Sequence, residues 1–215
     1  DEIRSLIDAQ EKLTDEINLA LDKAATLSEL EDIYRPYRPK RKTRASIAKE
    51  KGLEPLANDI LKQEKGFDPS KSAVDYIDEE KGVTSVEDAI QGAMDIIAEL
   101  VSDNAEIRKR IRNLTNANGV LVSVATDEEK DSVYKNYYDY KEPVKKIAGH
   151  RVLAVNRGEK EGFLKVSVET DSEKPLNSIF RAMITDKNQL CSDIIREACT
   201  DAYQRLIYPS IEREV

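Results

Sequence analysis

At 215 residues the chain is long enough for one sizeable domain or two small ones, and on folding a chain of this length buries roughly 70% of its extended surface. Charged residues make up 35% of it and apolar residues 40%, with a formal net charge of −8 and a mean hydropathy of −0.59. These values exclude global disorder and a membrane-spanning stretch, and with no basic-then-apolar leader the sequence reads as a thin-cored, helix-rich, cytoplasmic protein.

Taken in chain order, helix signals dominate. Thr14 caps an amphipathic segment carrying Ile17, Leu19, Ala20, Leu21 and Ala24, and Thr26 with Glu29 reads as a capping box for a short helix ending near Tyr34. Pro36 and Pro39 then disfavour helix in the residues before them, so an extended connection is expected from residue 36 onward. Thr43 caps the next helix, from about Arg44 to Lys51, and Gly52 stops it. Pro55 suits the first turn of another helix through about Gln63, and Asp68-Pro69-Ser70 opens a further short one.

The longest periodic element begins at Thr84, with Glu87 as its capping-box partner. Its stripe of Val86, Ala89, Ile90, Ala93, Met94, Ile97, Ala98 and Val101 lays one face against a core. The stripe lapses at Ser102-Asp103-Asn104 and resumes at Ile107 and Ile111, predicting one long broken helix with Asp103 or Asn104 capping the second half. Val120 to Ala125 reads as a short strand. An antiparallel β-hairpin is expected over about residues 151–169, Val152–Val155 and Phe163–Val168 forming its arms around Arg157-Gly158-Glu159-Lys160-Glu161-Gly162, with a third strand near Val120 available to pair. A last helix runs from about Gln189 to Tyr208 until Pro209 kinks or restarts it. The fold class is therefore mainly α with one small antiparallel hairpin, divisible at residues 1–83 and 84–215.

Six of the 34 basic residues fall within ten positions: Arg35, Arg38, Lys40, Arg41, Lys42 and Arg44. The remaining 28 face 42 acidic residues, a balance of −14, so positive charge is concentrated on a repulsive body and phosphate backbones are the natural attractant. Catalytic patterns are missing. There is no Gly-rich phosphate loop and no nucleophile elbow, and His150, the only imidazole, reads as structural or hydrogen-bonding. Cys191 and Cys199 are spaced about 12 Å apart along a helix, beyond disulfide reach, and are expected to be buried free thiols. No cofactor, structural metal or enzymatic activity is expected.

The run Leu30-Glu31-Asp32-Ile33-Tyr34-Arg35-Pro36-Tyr37-Arg38-Pro39-Lys40-Arg41-Lys42-Thr43-Arg44-Ala45, with Ile47 to Ala57 after it, resembles the N-terminal region of the bacterial transcription accessory protein family Tex. Three further stretches agree in order: Gln10 to Thr14, His150-Arg151-Val152-Leu153-Ala154 with Arg157 to Gly162, and Tyr203 to Val215. The resemblance covers essentially the whole chain. It implies a cytoplasmic, multidomain, nucleic-acid-binding factor related to a eukaryotic transcription-elongation factor. In that family a helical region precedes a nuclease-like (RuvC-related) domain, helix-hairpin-helix elements and an RNA-binding S1 domain, none of which lies in this sequence. Both ends look cut from something longer.

Two readings of the basic run stay open. In one, its six cations lie on RNA or DNA phosphates while Tyr37 stacks on a base. In the other, the cations pair with the chain's own carboxylates, and Tyr37 packs in the core. Arg151, Arg157 and Lys160 form a smaller basic group, with Glu159 and Glu161 beside it. The alternative function is a protein-interaction module that docks on other domains of its parent, on RNA polymerase or on other transcription proteins.

Overall fold

The computed structural model describes residues 2–38 and 41–215. Helices α1 (Glu2–Asp8), α2 (Asp15–Lys23) and α3 (Leu27–Tyr34) lead into α4 (Arg44–Glu50), α5 (Glu54–Lys62) and α6 (Pro69–Ala73). The long element is α7 (Val86–Asp103), broken at Asn104 from α8 (Ala105–Asn118). Strands β1 (Val120–Ala125) and β2 (Asp139–Pro143) follow, then α9 (Gly149–Lys160), β3 (Leu164–Glu169), α10 (Glu173–Met183), α11 (Gln189–Asp201) and α12 (Tyr208–Glu214). The fold is mainly α with a three-stranded antiparallel sheet in the order β2-β1-β3.

Contacts divide the chain into two compact units, Asp1–Lys109 with Leu176–Pro209 and Arg110–Pro175 with Ser210–Val215. In the first, α7 is the central pillar, packed by α4, α5, α6 and α11. Its small residues permit this: Ala89 and Ala93 are fully buried, and a Cβ on Gly92 would stand 2.2 Å from Leu53 Cδ1. Buried with Ile97 of the pillar itself are Leu53, Leu56, Ile60 and Ile195 from the helices around it, each contributing roughly 1.5–3 kcal/mol by burial. Buried amides tie the periphery down. Gln63, in a left-handed conformation at the end of α5, donates to the Met183 carbonyl (2.8 Å) and accepts from the Thr185 N–H (2.9 Å). Asn188 caps α11 and donates to the carbonyls of Glu64 and Phe67.

The break in the long helix is built as its sequence suggests, because the Asn104 side chain accepts from the Ile107 N–H at 3.0 Å. One side chain there was not anticipated. Arg108 is 2% exposed, and its guanidinium donates to the carbonyl and hydroxyl of Ser102, placing a cation on the C-terminal carbonyls of α7 where the helix dipole favours it. Ser85, one residue later than expected, caps α7 through the Asp88 N–H.

In the second unit the expected hairpin is corrected. Its second arm is β3, but Val152–Val155 lie in α9, and β3 pairs with β1. The two glycines explain the difference. Gly162, at φ 82°, ends α9 with paired bonds from Gly162 N–H to Glu159 and from Phe163 N–H to Gly158, a Schellman stop in place of a hairpin turn. Gly158 is buried within α9, where a Cβ would meet Leu164 Cδ1 at 2.5 Å, so its absence lets the helix lie on the sheet. The register puts Leu121, Val168 and Leu164 on one sheet face, toward α9. Tyr134, buried beside Phe163 at 5.8 Å between centroids, closes the edge of this core.

At the C-terminal end, where Pro209 is expected to kink or restart the last helix, the chain restarts as α12. Proline offers no N–H to the preceding turn, and the chain passes through π-type hydrogen bonding over Ala202–Ile207 before α12 begins. Cys191 and Cys199 are buried free thiols, and burial pushes the Cys199 thiol up to about 12. His150 is exposed in the first turn of α9, and among the described residues its side chain has no hydrogen bond. Among the described residues no helix is long and apolar enough to cross a membrane.

Candidate nucleic-acid interface

The basic run joins α3 to α4. Thr26 and Glu29 fix the start of α3: Thr26 accepts from the Glu29 N–H (3.2 Å), and the Glu29 carboxylate accepts from the Ala25 N–H (2.7 Å). At the other end the expected extended connection does not begin at residue 36. Arg35–Tyr37 form a 3-10 turn closed by Arg38 N–H onto the Arg35 carbonyl, a position where the fixed φ of Pro36 fits a first turn. The chain becomes extended only at Arg38. Gln10 donates to the Tyr37 carbonyl at 2.6 Å and holds the turn in place.

The cations of the run divide into two kinds. Arg35 is largely buried and lies 4.0 Å from the carboxylate of Asp32, which is 2% exposed. Arg38 pairs with Glu31 at 3.4 Å and sits over the Tyr34 ring, 5.8 Å from its centroid. Arg41, Lys42 and Arg44 are exposed, and among the described residues none has a carboxylate within ion-pair distance. Lys40 lies outside the described residues. Tyr37 is half-buried and lines a groove together with residues of α2 and α3.

Thr43 anchors this exposed group. It accepts from the Ser46 N–H (3.1 Å) while Ser46 accepts from the Thr43 N–H (2.8 Å), and its hydroxyl donates to Glu99 at 3.4 Å. The first turn of α4 carries no acidic residue, so cations at its entry oppose the helix dipole and contribute nothing to its stability. Nearby on α7, burial pushes the Asp95 carboxyl above its ordinary value, against the opposing pull of Gln91 and of the Arg44 charge. Asp95, Glu99 and Asp103 recur every four residues on one face of α7, a periodicity visible in the sequence.

The second basic group lies in the other unit, on helix α9 and not on a hairpin turn. Arg151 bonds both Glu142 oxygens at 2.9 Å, and the Tyr140 hydroxyl also donates to Glu142. These two hold the Glu142 carboxyl below the usual range, the tyrosine first and the arginine second. Arg157 reaches Glu161 at 3.5 Å along the exposed helix face. Lys160 is exposed, and among the described residues it has no ion pair.

A family model described as Tex central region-like matches residues 64–215, and the basic run lies ahead of that match. Among similar proteins, YdcI of Bacillus subtilis (strain 168) is 44% identical over 100% of this chain and 30% of its own length. Protein tex of Bordetella pertussis (strain Tohama I) is 39% identical over 78% of the chain and 22% of its own length. Transcriptional accessory protein Tex of Neisseria gonorrhoeae is 36% identical over 76% and 21% respectively. The chain thus spans less than a third of the length of these relatives. Since the family model covers more than half of it, the chain belongs to the Tex family.

Proposed function

We propose that this segment is a non-catalytic helical scaffold of a cytoplasmic, transcription-associated Tex-like protein, and that it presents Arg41, Lys42 and Arg44 to the phosphates of RNA or DNA. The observation that carries this reading is the exposure of those three cations, unanswered by carboxylates within ion-pair distance among the described residues, in a chain of net charge −8. A cluster left open in an acidic body recruits counter-ions from outside, and a polyphosphate backbone releases its own counter-ions on binding there. Arg35 and Arg38 lie beside the carboxylates of Asp32 and Glu31, and this reading assigns them no phosphate contact. The name of the Neisseria relative, a transcriptional accessory protein, supports the transcription setting.

The test is fluorescence anisotropy with labelled RNA and DNA oligonucleotides across a salt series. Binding at low salt should weaken with a log-log slope of about −0.7 per phosphate neutralised on single strands and about −0.9 on duplex DNA. Charge reversal by Arg41→Glu with Lys42→Glu should abolish it. No binding at low salt, or binding unmoved by that double substitution, overturns the reading.

A further inference from the structure

Beyond the cationic connector, the first unit holds an open groove of about 830 Å³ lined by α2, α3, the Arg35–Tyr37 turn and the junction of α7 with α8. Its floor is apolar, from Ile17, Ala20, Ala24 and Ile33, with the more exposed Leu19 at its edge. The amphipathic stripe of α2 is only partly consumed by the core, since Leu21 is the buried residue of that helix while Ile17, Ala20 and Ala24 stay partly exposed, and Leu19, off the stripe, stands 53% exposed. The rim is charged, with Glu16, Glu29, Asp103 and Glu106 against Lys23 and Lys109. Lys109 is engaged with Glu29 at 3.1 Å.

We propose that this groove docks an amphipathic helical segment of a partner polypeptide, its apolar stripe flanked by lysine or arginine. The floor supplies apolar area at helical spacing, because Ile17, Ala20 and Ala24 follow one another along a single face of α2. The alanines leave room for a facing helix to approach closely. Four carboxylates against two ammonium groups select a basic occupant and repel a nucleic-acid backbone. A second copy of this chain, itself at net charge −8, meets the same repulsion. The occupant and surface differ from those of the phosphate-binding connector, so either assignment can fail without the other.

The experiment follows backbone amide NMR shifts of the full 215-residue chain during titration with a synthetic helical peptide whose leucine stripe is flanked by lysines. The same peptide with glutamates in place of the lysines serves as control. The lysine peptide should give saturable shifts confined to α2, α3 and residues 103–109. Leu19→Glu should weaken it about tenfold, the effect of losing one buried leucine contact. Glu106→Lys should weaken it severalfold. Leu19 is exposed enough that its variant should melt like the parent, and Ala20→Glu on the floor provides a second one. Absence of saturable binding, equal binding of the glutamate peptide, shifts outside the groove or indifference to both of these substitutions overturns the proposal. So does RNA shifting the same amides, or self-association in sedimentation that Leu19→Glu abolishes.

Discussion

The two cation-rich stretches of this chain, residues 35–44 and 151–160, are settled by different means. At the end of α9 the C-cap residue Glu161 supplies an answer to Arg157 one turn away, and the neighbouring edge strand supplies Glu142 to Arg151, while Lys160 has no ion pair among the described residues. The connector contains no acidic residue, so each of its cations depends on a carboxylate brought from elsewhere. Helix α3 brings Asp32 and Glu31 within reach of Arg35 and Arg38, but not of Arg41, Lys42 or Arg44. Clustered positive charge therefore has three distinct outcomes here: structural anchoring, local neutralisation and open presentation. Only the last suits a polyanion.

The largest effect that would test this division is on the anchored half. Asp32→Ala removes a buried carboxylate and leaves the Arg35 guanidinium, itself largely buried, without that partner, at an expected cost of about 3 kcal/mol in urea unfolding. The m-value should hold. A loss below 0.5 kcal/mol would mean that Arg35 is no more anchored than Arg41. Next in size is Gly158→Ala on α9. Alanine improves helix propensity by about 1 kcal/mol, but the new methyl group must displace Leu164 and Tyr134, an overpacking cost of about 1–3 kcal/mol. Net destabilisation by thermal melting would show that the second cation group stands on a helix clamped to a sheet, and stabilisation would break that account.

How much of this was legible beforehand follows from the range of each interaction. Short-range signals carried through: the Thr14, Thr26 and Thr43 caps, the helix break at Asn104 and the strand at Val120 depend on residues within four positions. The hairpin misread arose because Gly158 and Gly162 look alike in sequence, whereas one serves close packing and the other a positive φ. Only the tertiary contact with Leu164 separates them. Arg108 was equally opaque: its cationic type suggests surface, and its burial depends on Ser102 across the helix break. At the candidate interface the residues of the run were visible at once. Their division was not, since it depends on Asp32 being buried at the end of a helix.

On the open half the effect passes from stability to binding. Arg41→Ala with Lys42→Ala should leave unfolding free energy within about 0.5 kcal/mol while lowering the salt slope for single-stranded RNA by about 1.4, two phosphate contacts' worth. Loss of stability instead would place these cations with Arg35. Asp95→Asn probes an acid that feels the charge of Arg44. Burial raises the folded-state pKa of Asp95, so the stability associated with its protonated form is present below the unfolded-state pKa and lost as pH rises through the raised value. The amide should therefore stabilise the protein at neutral pH, and the gain should disappear in unfolding measured at acidic pH.

The smallest effect is the most discriminating control. Arg157 is 76% exposed and its partner Glu161 lies on the same helix, an arrangement that contributes about 0.3–0.5 kcal/mol at most. Arg157→Ala should accordingly move the melting temperature barely at all. Because its charge is already answered by a carboxylate, the substitution should also leave RNA affinity and salt slope unchanged when measured beside Arg41→Ala. Both variants remove one positive charge, so net charge alone would weaken both equally through the long-range field. A difference between them isolates the local environment: what matters for phosphate is the cation left without a carboxylate neighbour. Equal losses would instead assign binding to the general field, and the connector would have no special claim.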